Sequence, residues 1–308
     1  MNLFAHDTKA KPVLKWAGGK SGPLVQLIEY FLPRFTRYVE PFVGGAAVFL
    51  SLDPKVPAVI NDSNADLIEL YRVVRDVPSD LMTELDKLAT KYSEEFFYRV
   101  RAEMPKNTIK RAARMVFLNK TGFNGLYRLN SKGKFNVPFG KRVKCPALYK
   151  KENLLSVSAR LRSSEIYNSD FEKVIDESGA GDFIYCDPPY EPLSTTSSFT
   201  SYTASGFPRE AQQRLRDACG RAVVRGAVVA ISNSSAPFIK NLFRSWDVRY
   251  ISAKRAINSK GNQRGEIDEV LAILGYTPTK VIAPVQPNYT LMERIISGDR
   301  PLGNTESF

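Results

Sequence analysis

Histidine is nearly absent from this 308-residue chain: His6 is the only one. The three cysteines, Cys145, Cys186 and Cys219, show no CxxC spacing. A zinc site or a histidine-dependent catalytic triad therefore has almost nothing to build on, and no metal is expected. No run approaches the roughly 18 apolar residues that span a membrane. Residues 1–12 lack the apolar segment of a signal peptide. A cytoplasmic location and no membrane partner follow as expectations. The G-x-G-x-x-G pattern and the Walker lysine motif are missing too, so a cofactor without a pyrophosphate suits the chain better than NAD or ATP. Apolar residues, by contrast, make up 43% of the chain. That is too many for disorder, and at this length they can fill the core of one large domain or two smaller ones.

Acidic residues are scarce in one window. Between positions 99 and 151, fifteen Lys/Arg accompany a single acid, Glu103, in a chain whose total net charge is +12. The remainder is close to neutral. A basic segment set into a near-neutral body reads as a polyanion-binding module; the alternative is a solvated surface rich in lysine.

The stretch Phe183-Ile184-Tyr185-Cys186-Asp187-Pro188-Pro189-Tyr190 reads as an apolar strand that stops at an acid and runs into two prolines and an aromatic. Proline fixes φ, lacks an N–H and pushes the preceding residue to extended geometry, so Asp187 is held extended at the strand tip. The exposed groups are a carboxylate, the carbonyls of Asp187 and Pro188, and the Tyr190 ring. Two acceptors and an aromatic face suit an exocyclic amino group and the ring that carries it. An ordinary Asp-Pro turn is the alternative, and the tetrapeptide alone does not decide.

In chain order, Lys15-Trp16-Ala17-Gly18-Gly19-Lys20 is a glycine loop that opens a helix with Pro23 in its first turn. Tyr38-Val39 is a short strand leading into Glu40-Pro41-Phe42-Val43-Gly44-Gly45, read as a glycine turn followed by a helix. Val59-Ile60 is a second strand, ending at Asn61-Asp62. A glycine turn after the first strand and an acid at the tip of the second is the plan of a nucleoside-binding α/β unit. The glycines admit the ligand and the acid accepts from ribose hydroxyls. From position 64 to about 118 the pattern is helical, with breaks at Pro78 and Pro105.

Residues 119–144 mix aromatics, amides and cations with turn residues, and Asn130-Ser131-Lys132-Gly133 reads as a hairpin turn. Such a loop can set Asn124 and Arg128 against base edges, Phe123 or Leu126 as a wedge, and lysines on phosphates. It can also be a structural hairpin with Phe135 and Phe139 as its core. The α/β pattern resumes at Ile166-Tyr167, followed by Asn168-Ser169-Asp170-Phe171. After a polar loop at 191–206 come a helix over about 208–224, a buried strand over 226–233 and a helix around 237–244. Strands near 248–251 and 270–274, joined by a polar loop, read as an antiparallel hairpin.

Four stretches in this order, 15–20, 40–45, 119–140 and 187–190, resemble the Dam-type DNA adenine-N6 methyltransferases, the D12 class with an Asp-Pro-Pro-Tyr motif. The polar loop leading into Glu269-Val270-Leu271 matches as well, and the resemblance covers roughly residues 12–275. It implies an α/β fold: a Rossmann-like S-adenosylmethionine-dependent methyltransferase sheet with a reversed last strand. A mostly helical target-recognition insert with a β-hairpin interrupts it. On that plan residues 12–75 and 160–276 form the catalytic domain, 76–159 the insert, and 277–308 a tail with no assigned role.

By the same resemblance, Trp16, Lys20, Phe42, Gly44, Asp62 and Asp187 contact S-adenosylmethionine, with Asp62 at the ribose. Asp170 and Phe171 hold its adenine, the ring stacking and the carboxylate accepting from the amino group. Lys15, Asn124, Arg128, Pro138 and Lys141 lie at the DNA, with Phe123 and Leu126 intercalating or packing. Many relatives carry tyrosine where this chain has Phe123 and arginine where it has Lys141, exchanges that alter base contacts. GATC is the first target the resemblance suggests.

The implied activity is methyl transfer to N6 of an adenine flipped out of duplex DNA, leaving S-adenosylhomocysteine. Tyr190 stacks on the flipped ring, Asp187 and the Pro188 carbonyl accept the N6 hydrogens, and Pro189 stiffens the turn. Positioning and electrostatics suffice for this, without metal or covalent nucleophile. Double-stranded DNA is the implied partner, for a monomer that associates with the nucleoid. A companion restriction endonuclease acting on the same sequence is one possible setting. An RNA adenine-N6 methyltransferase and a catalytically inert DNA-binding relative stay open as alternatives.

Overall fold

Successive side chains of a strand point to opposite faces, and this period of two sorts the apolar residues into two cores. The computed structural model describes residues 10–16, 18, 35–193, 207–254 and 266–276. Strands β1 (Arg37–Glu40), β2 (Ala58–Asn61), β3 (Ser164–Tyr167), β4 (Asp182–Cys186) and β5 (Val228–Ser234) run parallel. With β6 (Asp247–Lys254) and β7 (Glu266–Leu274) they form a seven-stranded sheet of order β3-β2-β1-β4-β5-β7-β6. Strand β7 is antiparallel to both β5 and β6, so the hairpin expected near 248–251 and 270–274 is present, with longer strands.

Tyr38, Ile60, Phe183, Tyr185 and Ala230 join a core with α1 (Ala65–Asp76), α2 (Pro78–Ala89), α3 (Glu94–Ala102), α4 (Thr108–Thr121) and α5 (Lys151–Arg162). Their sequence neighbours Val39, Val59, Ile184, Cys186, Val229 and Ile231 join a second core with α6 (Phe171–Asp176), α7 (Arg209–Val224) and α8 (Pro237–Leu242). Burial on both faces is why these strands read as continuous apolar runs.

The helical stretch from position 64 divides where the sequence supplies caps. Asn64, Ser93 and Asn107 accept hydrogen bonds from the N–H groups of Leu67, Phe96 and Lys110, and Pro78 starts α2, where a missing N–H costs nothing. The helix expected after Gly45 does not form. Residues 41–48 are turns, followed only by a 3₁₀ turn at Phe49–Ser51. Ala46 there has φ 60°, a left-handed conformation that costs a residue with a Cβ about 1–2 kcal/mol and cannot continue a right-handed helix. Helix α5 was not anticipated. The helix expected behind Lys20 and the polar loops at 194–206 and 258–265 lie outside the described residues.

The hairpin turn at 130–133 closes through a 2.9 Å bond from the Gly133 N–H to the Asn130 carbonyl. The Asn130 side chain also accepts from the N–H groups of Lys132 and Lys134. Its arms meet at isolated bridges, Gly122 with Phe139 and Leu129 with Phe135, rather than in a strand ladder. Pro138 has no N–H to give to a ladder, and Phe135 and Phe139 are buried, as a small hairpin core requires. No helix among the described residues is long and apolar enough to cross a membrane.

The connections turn opposite ways from β1 and β4: β1 leads outward to β2 and β3, whereas β4 leads to β5. The carboxyl ends of these two central strands therefore mark the switch point, the place at which open α/β sheets form the crevice that holds their ligands.

Candidate functional site

Asp187 stands immediately past the carboxyl end of β4, at that crevice. Ser232 of the adjacent β5 gives its hydroxyl hydrogen to Asp187 Oδ1 at 2.7 Å, and the Tyr185 hydroxyl lies 3.0 Å from the same Ser232 Oγ. A serine hydroxyl has one hydrogen, so with Ser232 committed to Asp187 the donor in the second bond is Tyr185. The Tyr190 hydroxyl donates to Glu269 Oε2 on β7 at 3.1 Å. Loss of solvent, then the nearby Asp187 carboxylate, holds its pKa well above the ordinary phenol value, so it stays protonated. The Pro189 carbonyl accepts from Gln212 Nε2 of α7 at 3.0 Å. Gln212 Oε1 accepts from Asn233, whose own Oδ1 accepts the Glu191 N–H. The Asp-Pro-Pro-Tyr turn is thus bolted to β5, β7 and α7. Ser232, Asn233 and Gln212 were not singled out from sequence, although two polar residues ending an apolar strand were the visible signal for the first pair. Glu269 entered only as part of a stretch that resembles the family, without a role.

At the tips of β1 and β2, both Asp62 oxygens accept backbone N–H groups, from Gly44 at 3.0 Å and Asn64 at 2.9 Å. Gly44 has φ 44°, and a Cβ there would lie 2.9 Å from the Trp16 indole. The close approach these glycines permit is therefore that of Trp16, where the sequence pattern predicts a ligand. Glu40, buried at the end of β1, accepts a 2.9 Å bond from the Tyr38 hydroxyl. Burial raises its pKa well above the carboxylate range, and the charges of Asp187 and Asp62 push the same way. Burial also raises the pKa of Asp62, against the pull of its two N–H bonds. Three carboxyls at the carboxyl ends of β1, β2 and β4 thus lie within electrostatic reach of one another, without forming a metal-holding group among the described residues. Such a set favours a cationic ligand, which relieves both burial and mutual repulsion.

Asp170 caps α6 by accepting from the Glu172 N–H at 2.9 Å, and it pairs with Arg214 of α7. Phe171 packs against Phe42 at 5.2 Å between ring centroids and against Phe207 at 5.7 Å, and the Arg214 guanidinium lies 4.5 Å over its ring. Phe42 and Phe171 are brought together, with Asp170 engaged by Arg214 beside them.

Asn119 on α4 accepts from the Lys15 N–H at 2.9 Å and donates to the carbonyls of Lys15 and Gly125, both at 2.8 Å. Trp16 stacks on Tyr127 at 5.1 Å. The 122–140 loop therefore lies against the segment that reaches Gly44. In that loop Phe123, Asn124, Arg128 and Pro138 are exposed and Leu126 is half-buried; Lys141, just past it, is exposed too. Asn124 and Lys141 both take left-handed φ, 54° and 52°. Lys20 lies outside the described residues.

The basic window is not one surface. Arg111 pairs with Glu69 of α1, and Arg114 and Arg101 bond backbone carbonyls at 100–101 and 137. Lys132, Lys134, Lys141, Arg142 and Lys144 remain exposed.

Residues 16–257 match the model of a family described as D12 class N6 adenine-specific DNA methyltransferase. The type II methyltransferase M1.LlaDCHI of Lactococcus lactis subsp. cremoris is 41% identical over 281 residues, 88% of this chain and 98% of that protein. The type II methyltransferase M.MjaIII of Methanocaldococcus jannaschii is 41% identical over 87% of this chain and all of its own. The DNA adenine methylase of Escherichia coli K12 is 34% identical over 90% of this chain and 99% of its own.

Proposed function

This chain belongs to the D12 class of N6 adenine-specific DNA methyltransferases, and we propose that it methylates N6 of an adenine turned out of duplex DNA. The observation that carries the reading is the Asp187 carboxylate, fixed by Ser232 at the crevice beside the anchored Tyr190. Tyr190 offers a ring face to the extruded base. Asp187 and the Pro188 carbonyl accept the two N6 hydrogens, which draws the nitrogen lone pair out of conjugation and aims it across the crevice. Negative charge at Asp187 offsets the positive charge that develops on N6 as it takes the methyl group from sulfur, which is left as a neutral thioether. The methylated nitrogen then releases one of its two protons to solvent, so positioning and electrostatics do the chemistry.

The family implies S-adenosylmethionine, and the residues fit it: the Asp62 and Asp187 carboxylates are held at the carboxyl ends of β2 and β4, on either side of β1, where a cationic ligand is favoured. When bound, it supplies a methyl group on a sulfonium centre. Asp62 accepts from the ribose, Trp16, Lys20, Phe42 and Gly44 line its path, and Phe171 meets its adenine. Asp170 accepts the adenine amino group once Arg214 yields it. On this reading β7 is the reversed strand of a Rossmann-like sheet. Residues 12–75 and 160–276 are the catalytic domain and 76–159 the recognition insert, with Lys15, Phe123, Asn124, Leu126, Arg128, Pro138 and Lys141 at the DNA. GATC is the first target to test. Two relatives named type II methyltransferases support a setting beside a restriction endonuclease of the same specificity.

The test is transfer from labelled S-adenosylmethionine to unmethylated duplex DNA, with nucleoside digestion and mapping of the modified site. Wild type is expected to leave N6-methyladenine at one short motif. Asp187→Ala should lose at least about a hundredfold in rate while still binding DNA. Transfer to RNA instead, or to neither polymer, overturns the reading.

A further inference from the structure

Asn119 is fully buried near the C-terminal end of α4, and its amide makes three bonds. Accepting from the Lys15 N–H and donating to the Lys15 carbonyl copies the way a neighbouring strand would hold that residue. The third bond, to the Gly125 carbonyl, fixes the turn that follows Asn124. Gly125 has φ 68°, and a Cβ on it would lie 2.4 Å from Lys15 Cδ, so loop and segment are in close contact. The next residue, Trp16, closes on Gly44, whose N–H is held by Asp62. An unbroken line of contacts thus runs from Asp62 and Gly44 through Trp16 and Lys15 to Asn119 and Gly125. Tyr127 of the same loop stacks on Trp16.

We propose that Asn119 is a positioning residue that couples cofactor binding to DNA reading, so that each ligand tightens the other. The inference rests on the proposed function, which puts Asp62 and Trp16 at the cofactor and Lys15 and Asn124 at the DNA. Asn119 touches neither. It holds the segment that touches both in one register with the loop. Spatial continuity alone would also suit a residue that merely holds the fold together, so the test must read the coupling itself.

S-adenosylhomocysteine, the unreactive product, is titrated calorimetrically into the full chain with and without a duplex carrying the mapped target. In wild type it should bind at least about fivefold tighter when the duplex is present, and by linkage the duplex should gain the same factor. Asn119→Ala removes all three bonds. Asn119→Asp keeps the size and the acceptor but loses both donated bonds, and it carries the test should the alanine variant fail to fold. Both should bring the ratio to within about twofold of one, with thermal midpoints recording any loss of folding. Variants that weaken both affinities yet keep the ratio overturn the proposal, as does an active wild type whose ratio is already one. A wild type that transfers no methyl group to duplex DNA overturns the proposed function itself, before any variant is made.

Discussion

Ser232 gives its one hydroxyl hydrogen to Asp187 and takes one from Tyr185, which tethers one carboxylate oxygen before any base arrives. A hydrogen bond to a charged group contributes about 1.5–3 kcal/mol, so Ser232→Ala should slow single-turnover methylation about tenfold to a hundredfold. S-adenosylmethionine affinity, measured alongside, should stay unchanged. Tyr190→Phe keeps the ring and loses the hydroxyl that reaches Glu269, about 1.5–3 kcal/mol for a charged acceptor, and should slow turnover by no more than about a hundredfold. Tyr190→Ala, which removes the stacking face, should cost clearly more in the same assay. Asp62 makes a prediction in pH. Its raised pKa means that it takes up a proton sooner than a free aspartate as pH falls. On the proposed placement of Asp62 at the cofactor, ribose and a cationic ligand both prefer the ionised form. Cofactor affinity should therefore weaken on acidification from neutral pH, and Asp62→Asn should bind weakly with a flatter pH dependence. Asp187 and Tyr190 were legible in the sequence because proline geometry acts on adjacent residues. Ser232 and Gln212 were not, since they arrive from 45 and 23 positions away, on a neighbouring strand and a packed helix, and only the fold brings them.

Helices α6 and α7 are laced by Arg214 and Arg221 to Asp170, Glu172 and Asp176, all partly exposed. Partly exposed pairs of this kind contribute little, so Arg221→Ala should lower unfolding free energy by less than about 1 kcal/mol in denaturant titration. Arg160 of α5 is the contrast. It is buried 4.1 Å over the Phe49 ring, with Nη1 donating to the Val56 carbonyl at 3.2 Å and to Ser163 Oγ at 2.8 Å. Desolvation lowers its pKa to about 10, which still leaves it charged at neutral pH. Arg160→Ala should cost about 3 kcal/mol in the same titration, because packing and backbone partners are removed together. Helix α5 was legible in principle: Leu154, Val157 and Leu161 have helical spacing and are buried. The failed helix after Gly45 was not, because the left-handed backbone of Ala46 leaves no mark in composition.

Across the whole molecule, charge separates by task. Arg101, Arg111 and Arg114 hold helices and loops together, and the lysines around the 122–140 loop are exposed, free on the proposed reading to meet phosphate. Replacing Lys132, Lys134 and Lys141 by glutamine should flatten the slope of log affinity against log salt by about 0.9 for each phosphate no longer neutralised, up to about three in all. An unchanged slope would remove these lysines from the DNA interface. The excess of cations was plain in the sequence, but its division was not, since Glu69 and the carbonyls that claim the arginines lie on other elements. The order of the strands was equally out of reach of periodicity, which assigns faces but not neighbours.

The chain has two tryptophans, and Trp16 is the one wedged between Tyr127 and the Gly44 turn, while Trp246 packs against Phe243 beside α8. An indole in that position is an optical probe already built into the protein. In a Trp246→Phe background its emission should respond to cofactor and to duplex, so that the order in which the two arrive can be timed by stopped flow without a label.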